Sequence, residues 1–280
     1  MILEPRGGES PLVVEVPHAG TWLDPEALAF TVAPARSLGR DADLYVDELF
    51  QDAPAEGATL LVARASRYLV DLNRSEEDFD GDAVEGGSHR PSPRGLIWRL
   101  TTDGAPILHG RLPRAELRRR LDTVYRPYHQ ALQALCARKL ARFGFAVLLC
   151  AHSMPTQARG AYPDNGASRA DIVPGSRGRT SAAGEVIDRV DAAARARNWA
   201  VQHDEPYRGG FSTAHYGDPA RGVHAVQVEI ARRRYMDEST LRIDPQGFAA
   251  VRDFARTLAA RLAFAEPDAP LRLLRREAAR

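Results

Sequence analysis

Cysteine is scarce in this sequence: two residues, Cys136 and Cys150, occur among 280. So few cysteines cannot cross-link a small secreted scaffold, which depends on several disulfides in place of a large core. Both lie in largely apolar stretches, where a free thiol commonly packs as a small apolar side chain. We therefore expect reduced, buried thiols in a protein that is stabilised by its hydrophobic core.

Long apolar runs and an excess of charge of one sign are also missing. No stretch approaches the ~18 apolar residues that a membrane-spanning helix needs, and the first residues contain no basic segment followed by an apolar run. The 38 basic and 37 acidic residues give a formal charge of +1, so no global field attracts nucleic acid or an anionic membrane. We expect a cytoplasmic protein with no nucleic-acid or membrane partner.

What is present is the composition of a globular protein. The chain is 44% hydrophobic and 27% charged, which is typical of a folded domain with a sizeable core. Its length could accommodate two domains, but no linker-like stretch and no internal repeat divides it. We predict a single domain over residues 1–280.

Hydrophobic periodicity predicts that strands alternate with helices. Short apolar runs predict strands at Leu12 to Val16, Thr59 to Ala63, Arg67 to Val70, Phe145 to Ala151 and Ala225 to Ile230. Apolar residues at helical spacing predict helices at Asp43 to Phe50, Pro113 to Phe143 with a kink at Pro127, Ser181 to Trp199 and Pro245 to Phe264. This alternation favours an α/β three-layer sandwich with a mostly parallel or mixed central sheet.

Polar side chains lie at or near the ends of several predicted strands. They are His18, Asn73, Arg74, His152, Ser153 and Glu229. In open α/β sheets the ligand crevice lies beyond the carboxyl ends of the strands. We therefore expect these widely separated residues to converge on one site.

Each of these residues also has a purely structural interpretation. A lone histidine after a strand is often a hydrogen-bonded loop residue rather than a metal ligand. Glu229 could be half of a buried ion pair, because a carboxylate in an apolar strand needs a cation, a metal or a proton to stabilise it. Arg74 could clamp its own loop, or its planar fork could bind a substrate carboxylate. Ser153 lacks the GxSxG context of a serine nucleophile, so we interpret it as a support of its turn.

Six ordered sequence blocks carry a resemblance to a known family. They are VPHAG (16–20), DAD (41–43), VDLNR (70–74), AHSMP (151–155), YRGGFSTAHYGDP (207–219) and VHAVQVEI (223–230). On these motifs the sequence resembles the N-formylglutamate amidohydrolase family over almost its whole length. That family is similar in fold to the zinc carboxypeptidases, of the phosphorylase/hydrolase-like class. Both share the order of an early His, a DLNR segment, an HS pair and a late strand Glu.

The resemblance implies a hydrolase that cleaves N-formyl-L-glutamate to formate and L-glutamate, the last step of a histidine-degradation route. It implies that His18 and His152 bind Zn²⁺ or another divalent metal and that Glu229 is the general base. It also implies that Asn73 and Arg74 clamp a substrate carboxylate. Two histidines and one carboxylate would leave zinc an open position for water.

The third metal ligand departs from the carboxypeptidase pattern. Carboxypeptidases place a carboxylate three residues after the first histidine, but that position is Thr21 here. We predict Asp43, in the DAD block, with Asp41 and Glu26 as alternatives. Acids at the start of a helix often serve only as caps, so a structural role for Asp43 also stays open.

N-formylglutamate carries two carboxylates, so its site must offer more than one cation. We expect Arg74 to bind one, and Arg208, in the glycine-containing YRGG loop, or Arg99 to bind the other. His215 could hydrogen-bond the developing oxyanion or a carboxylate. Two alternatives remain: turnover of another N-acyl amino acid or small amide, and a non-catalytic fold relative that binds dicarboxylates. The sequence leaves the oligomeric state open.

Overall fold

A six-stranded mixed sheet forms the centre of the protein, whose computed structural model describes residues 1–158, 166 and 168–264. In chain order the strands are β1 (Ile2–Leu3), β2 (Leu12–Val16), β3 (Thr59–Val62), β4 (Ala146–Met154), β5 (Ile172–Gly175) and β6 (Val223–Ala231). Their order across the sheet is β1-β3-β2-β4-β6-β5. The inner strands β3, β2, β4 and β6 are parallel, and each edge strand runs antiparallel to its neighbour.

Helices cover both faces of this sheet. They are α1 (Pro25–Phe30), α2 (Ala35–Asp41), α3 (Val46–Leu49), α4 (Arg114–Arg120), α5 (Arg126–Phe143), α6 (Gly184–Arg195), α7 (Phe211–Tyr216) and α8 (Pro245–Leu262). Helices α3, α6 and α8 pack on one face, whereas α5 and α7 pack on the other. The prediction of an α/β three-layer sandwich with a mixed sheet is therefore confirmed.

The inner strands are buried because they are largely apolar. All five residues of β2 and all nine residues of β4 are buried, as expected for parallel strands that helices cover on both faces. Strand β4 extends beyond its predicted end at Ala151, so His152 lies within the strand. His152 is the Cα partner of Glu229 in β6. The carboxyl ends of neighbouring strands thus bring two predicted site residues side by side.

Two of the sequence-based elements are wrong. The predicted helix from Asp43 to Phe50 is limited to Val46–Leu49, and Asp43 lies in the loop before it. The predicted strand at residues 67–70 is a turn. Its apolar residues are buried. The buried Arg120 guanidinium donates to the carbonyl of Leu69 at 2.8 Å, which offsets the cost of burying this irregular backbone.

The long predicted helix is interrupted just before Pro127. Helices α4 and α5 are joined by one π-helical turn, Leu121–Tyr125. Proline lacks an N–H and therefore cannot continue the regular helical bonding pattern. The turn also places Tyr125 so that its hydroxyl donates to the carbonyl of Arg74 at 2.8 Å. The π-helical turn therefore helps to hold the backbone of Arg74, a residue of the predicted substrate clamp.

A short hairpin of β7 (Met236–Asp237) and β8 (Arg242–Ile243) lies outside the central sheet. Across the described ranges, no helix is both long and apolar enough to cross a membrane. The interpretation of residues 1–280 as one domain stays a prediction, and residues 265–280 lie outside the described part of the chain.

Candidate active site

A cavity of about 210 Å³ opens beside the carboxyl ends of β2, β4 and β6. Its lining unites residues that the sequence separates widely: His18, Asp43, Asn73, Arg74, His152, Arg208 and Glu229. The structure thus brings these predicted site residues together, at the position where α/β sheets bind ligands.

Two histidines and an aspartate form a tight cluster in this cavity. The Nδ1 atoms of His152 and His18 lie 2.9 and 3.7 Å from Oδ2 of Asp43, and one possible ligand atom from each residue lies within 4.8 Å of the others. Burial would raise the pKa of Asp43, but its hydrogen bond with His152 and the nearby His18 ring hold it well below the usual range. Burial also opposes protonation of His152, yet Asp43 and the nearby Glu229 raise its pKa. The cluster therefore has the donor set of a divalent-metal site.

Asp71 orients the first histidine of the cluster. Its Oδ1 accepts from Nε2 of His18 at 2.8 Å, and its Oδ2 accepts from Arg67 at 2.9 Å and from Trp98 at 2.9 Å. Burial would raise the pKa of Asp71, but the electrostatic influence of His18 and Arg67 holds it well below the usual range. Nδ1 of His18 is buried and has no hydrogen-bond partner among the described residues. A metal-binding histidine commonly has this arrangement, in which a carboxylate accepts from one ring nitrogen and the other nitrogen is left for the metal.

The loop that carries His18 is fixed by close backbone contacts. The N–H of Asp43 donates to the carbonyl of His18 at 2.9 Å. Two residues further along, a Cβ at Gly20 would lie 2.3 Å from the carbonyl oxygen of Arg64. The glycine of the VPHAG block is therefore required for this approach.

Arg232 is a buried cation that contacts the other carboxylate oxygen of Asp43. Its Nη2 donates to Oδ1 of Asp43 at 3.2 Å and to the carbonyl of Ala42 at 2.8 Å, and its Nε donates to Oγ of Ser153 at 3.2 Å. A guanidinium can satisfy several acceptors at once. Arg232 thus fixes the loop that presents Asp43, and the contact with Ser153 agrees with a supporting role for that serine.

The two alternative third ligands are placed differently. Asp41 also lines the cavity, but its carboxylate accepts hydrogen bonds from the Tyr68 hydroxyl at 2.6 Å and from the backbone N–H of Thr102 at 3.1 Å. Glu26 lies exposed on α1. Among the three candidates, Asp43 is the one whose carboxylate lies against both histidines.

Glu229 lies deep in the cavity, beside His152. It is 5% exposed, and within the described ranges it forms no ion pair, which argues against the interpretation as half of a buried salt bridge. Burial raises its pKa; the nearby His152 lowers it and Asp43 raises it, with a net rise. Its Oε1 accepts from Nε2 of Gln227 at 2.8 Å. This carboxyl group is therefore held in place and available as a proton acceptor.

The predicted clamp lies beside this carboxyl group. Nδ2 of Asn73 is 3.3 Å from Nε2 of His152 and donates to Oε1 of Gln227 at 3.2 Å. Arg74 uses Nε to donate to the carbonyl of Arg94 at 3.1 Å and is partly exposed in the cavity wall. Arg208 is exposed in the wall and has no ion-pair partner among the residues that the structure describes. The cavity therefore offers an amide and cations to an anionic ligand.

Two predicted binding residues lie outside this cavity. Arg99 forms ion pairs with Asp80 at 3.1 Å and Asp82 at 3.7 Å. His215 stacks on Phe211 with ring centroids 4.8 Å apart and lines a neighbouring groove. Neither side chain is placed to contact a ligand between the two histidines.

Three residues that support the site were not predicted. Each had a signal in the sequence: Asp71 lies in the VDLNR block, Gln227 is two residues before Glu229 on the same strand face, and Arg232 directly follows β6. A buried acid beside a candidate ligand histidine is a common partner of metal sites.

Comparisons with known proteins agree on one family. A family model described as N-formylglutamate amidohydrolase matches residues 10–236. A protein named N-formylglutamate deformylase from Pseudomonas aeruginosa is 35% identical over 244 residues, 85% of this chain and 86% of that protein. One of the same name from Pseudomonas putida is 32% identical over 251 residues, with coverage of 85% and 86%. The crystal structure of N-formylglutamate amidohydrolase from Ralstonia eutropha JMP134 superposes with a TM-score of 0.84 at 32% identity, covering 94% of this chain and 96% of that chain. The chain belongs to the N-formylglutamate amidohydrolase family.

Proposed function

We propose that this protein is a zinc-dependent hydrolase that cleaves N-formyl-L-glutamate to formate and L-glutamate. The observation that carries the proposal is the His18, Asp43 and His152 cluster, with Glu229 held beside it in a cavity that also contains arginines. The names of the Pseudomonas relatives support the same substrate. In this role the enzyme would perform the last step of a histidine-degradation route.

His18, Asp43 and His152 would hold the metal. The unpartnered, buried Nδ1 of His18 supports this assignment, because an uncompensated buried nitrogen is costly unless a ligand occupies it. A divalent cation bound there supplies Lewis acidity toward the formyl oxygen and toward the attacking water. Two histidines with one carboxylate are typical of catalytic zinc sites.

Glu229 would transfer the protons. As the carboxylate it accepts a proton from the attacking water, and as the acid it delivers that proton to the leaving nitrogen. Glutamate then departs as an amine rather than as an unstable amide anion. The carboxyl group of Glu229 is buried beside the three proposed metal ligands, so it lies where the attacking water would be bound.

The arginines and Asn73 would hold the two substrate carboxylates. Arg74 adjoins Asn73 at the cavity wall, and Arg208 lies on a loop that lines the same cavity. Charge-assisted pairing with a guanidinium fixes both the position and the orientation of a carboxylate.

The proposal is tested by loading the purified protein with Zn²⁺ and measuring formate and glutamate release from N-formyl-L-glutamate. N-acetyl-L-glutamate, N-succinyl-L-glutamate and other N-formyl amino acids serve as competitors. We expect equimolar products from N-formyl-L-glutamate and a large preference for it. His18→Ala should lose both bound metal and turnover, whereas His89→Ala, at an exposed histidine, should keep both. Turnover without metal, or a preference for another N-acyl amino acid, would contradict the proposal.

A further inference from the structure

Gln227 is a buried amide that lies between the predicted clamp and the predicted base. It is 4% exposed and two residues before Glu229 on β6, so both side chains project from the same face of the sheet. Its Nε2 donates to Oε1 of Glu229 at 2.8 Å. Its Oε1 accepts from Nδ2 of Asn73 at 3.2 Å and from the N–H of Gly210 at 2.9 Å.

The orientation of this amide is determined by the backbone. The N–H of Gly210 can only donate, so the group that faces it must be the oxygen of Gln227, and the NH₂ group must face Glu229. The amide of Asn73 is fixed in the same way, because its Oδ1 accepts from the N–H of Ser212 at 2.9 Å. The hydrogen bonds therefore run in one direction, from Asn73 through Gln227 to Glu229.

The backbone of the loop at Gly210 lies directly against this chain of amides. A Cβ at position 210 would be 2.3 Å from Nδ2 of Asn73. The glycine thus allows its own N–H to reach the side chain of Gln227. The side-chain amide of Gln227 therefore contacts three parts of the site: the loop that carries Arg208, the segment that carries Asn73, and Glu229.

We infer that Gln227 is a positioning residue that orients the carboxylate of Glu229 for proton transfer and links that orientation to the carboxylate clamp. The inference rests on the proposed function. A carboxylate beside a fixed donor keeps one oxygen occupied and turns the other toward the cavity. Without the donor, Glu229 would sample several rotamers, and proton transfer is sensitive to such misplacement.

Two substitutions separate this role from simple support of the loop. Gln227→Glu keeps an oxygen for Asn73 and Gly210 but replaces the amide donor with a second carboxyl group that must share a proton with Glu229. Gln227→Leu removes both the oxygen and the donor. If Gln227 positions Glu229, kcat should fall about tenfold or more in both variants, with KM of Gln227→Glu changed by less than about threefold. Gln202→Leu and Gln202→Glu, at an exposed glutamine, are the matched controls and should keep wild-type kinetics.

A double substitution tests whether Gln227 acts through Glu229. In a Glu229→Gln background, Gln227→Leu should lower the residual kcat by less than about twofold, because residues that act as a unit are not additive. Bound zinc and the urea unfolding midpoint are measured for every variant, and Gln227→Met replaces Gln227→Leu if the latter does not fold.

The outcomes distinguish a failure of the proposed function from a failure of the positioning role of Gln227. Wild-type protein that binds zinc but does not hydrolyse N-formyl-L-glutamate would refute the proposed function. If the wild type is active, a near-normal kcat in Gln227→Glu would overturn the positioning role. A fall in kcat that is confined to Gln227→Glu would overturn it too. A tenfold effect of Gln227→Leu that persists without the Glu229 carboxylate would overturn it as well.

Discussion

His224 is expected to make the stability of the protein depend on pH. This histidine is fully buried near the start of β6, where its Nδ1 accepts from the N–H of Ala183 at 3.1 Å. Its Nε2 has no hydrogen-bond partner among the described residues. Burial lowers its pKa from 6.5 to about 4, because a charged ring would lose its hydration there without compensation.

The free energy of unfolding should decrease as the pH falls, because the unfolded state binds the proton more tightly than the folded state. Because the pKa is lower in the folded state, acidification protonates the unfolded chain first and favours unfolding. The stability is present above about pH 6.5 and is lost as the pH falls toward about 4. A pKa difference of about 2.5 corresponds to at most about 3.4 kcal/mol. Between about pH 7.5 and about pH 5 the expected loss in the free energy of unfolding is about 2 kcal/mol.

Urea unfolding at these two pH values measures the effect. His224→Asn keeps an acceptor near the position of Nδ1 but does not ionise. Its free energy of unfolding should therefore fall by about 2 kcal/mol less than that of the wild type over the same interval. His89→Asn, at an exposed histidine, is the control and should match the wild type. An equal pH-dependent loss in wild type and His224→Asn would refute the reasoning.

Three further predictions concern the site. Glu229→Gln should keep bound zinc but lower kcat by at least ~10²-fold, since proton transfer fails while the fold is retained; loss of zinc would make Glu229 a ligand instead. Arg74→Lys keeps the charge but loses the planar fork, so kcat/KM should fall about tenfold, or about 1.4 kcal/mol; Arg221→Lys, at an exposed arginine, should not change it, and an unchanged Arg74→Lys would make that residue structural. Asp71→Asn weakens the acceptor for His18, so zinc affinity, measured by competition with a chelator, should fall ~10- to 100-fold; an unaltered affinity would remove Asp71 from the metal site.

The fold could be predicted where burial alone determines local structure. The apolar run Leu12–Val16 forms β2 with the predicted bounds because helices cover both of its faces. The predicted strand at residues 67–70 is wrong because a loop packed into the core has the same apolar composition as a strand. It also missed β5 (Ile172–Gly175), a short edge strand that contains Pro174. Local sequence does not reveal which cation or neighbouring strand will satisfy an irregular backbone.

The candidate metal ligands and the candidate base could be predicted because their chemistry depends mainly on residue type. Histidines and acids near strand ends indicated His18, His152 and Glu229, and the structure gathers them in one cavity. The supporting partners were harder to identify. Asp71 and Arg232 act through contacts with residues that are distant in sequence, and such contacts depend on the tertiary arrangement rather than on spacing.

The two ends of the central sheet limit how copies of this protein could associate. Strand β1 has two residues and pairs with β3 in antiparallel orientation. At the other end, β5 includes Pro174, which lacks an N–H, and its residue Ile172 is bridged by Val201. Short or proline-containing edges offer few unpaired backbone groups to an incoming strand. Edge-to-edge aggregation through the two outer strands of the central sheet is therefore disfavoured in the native state.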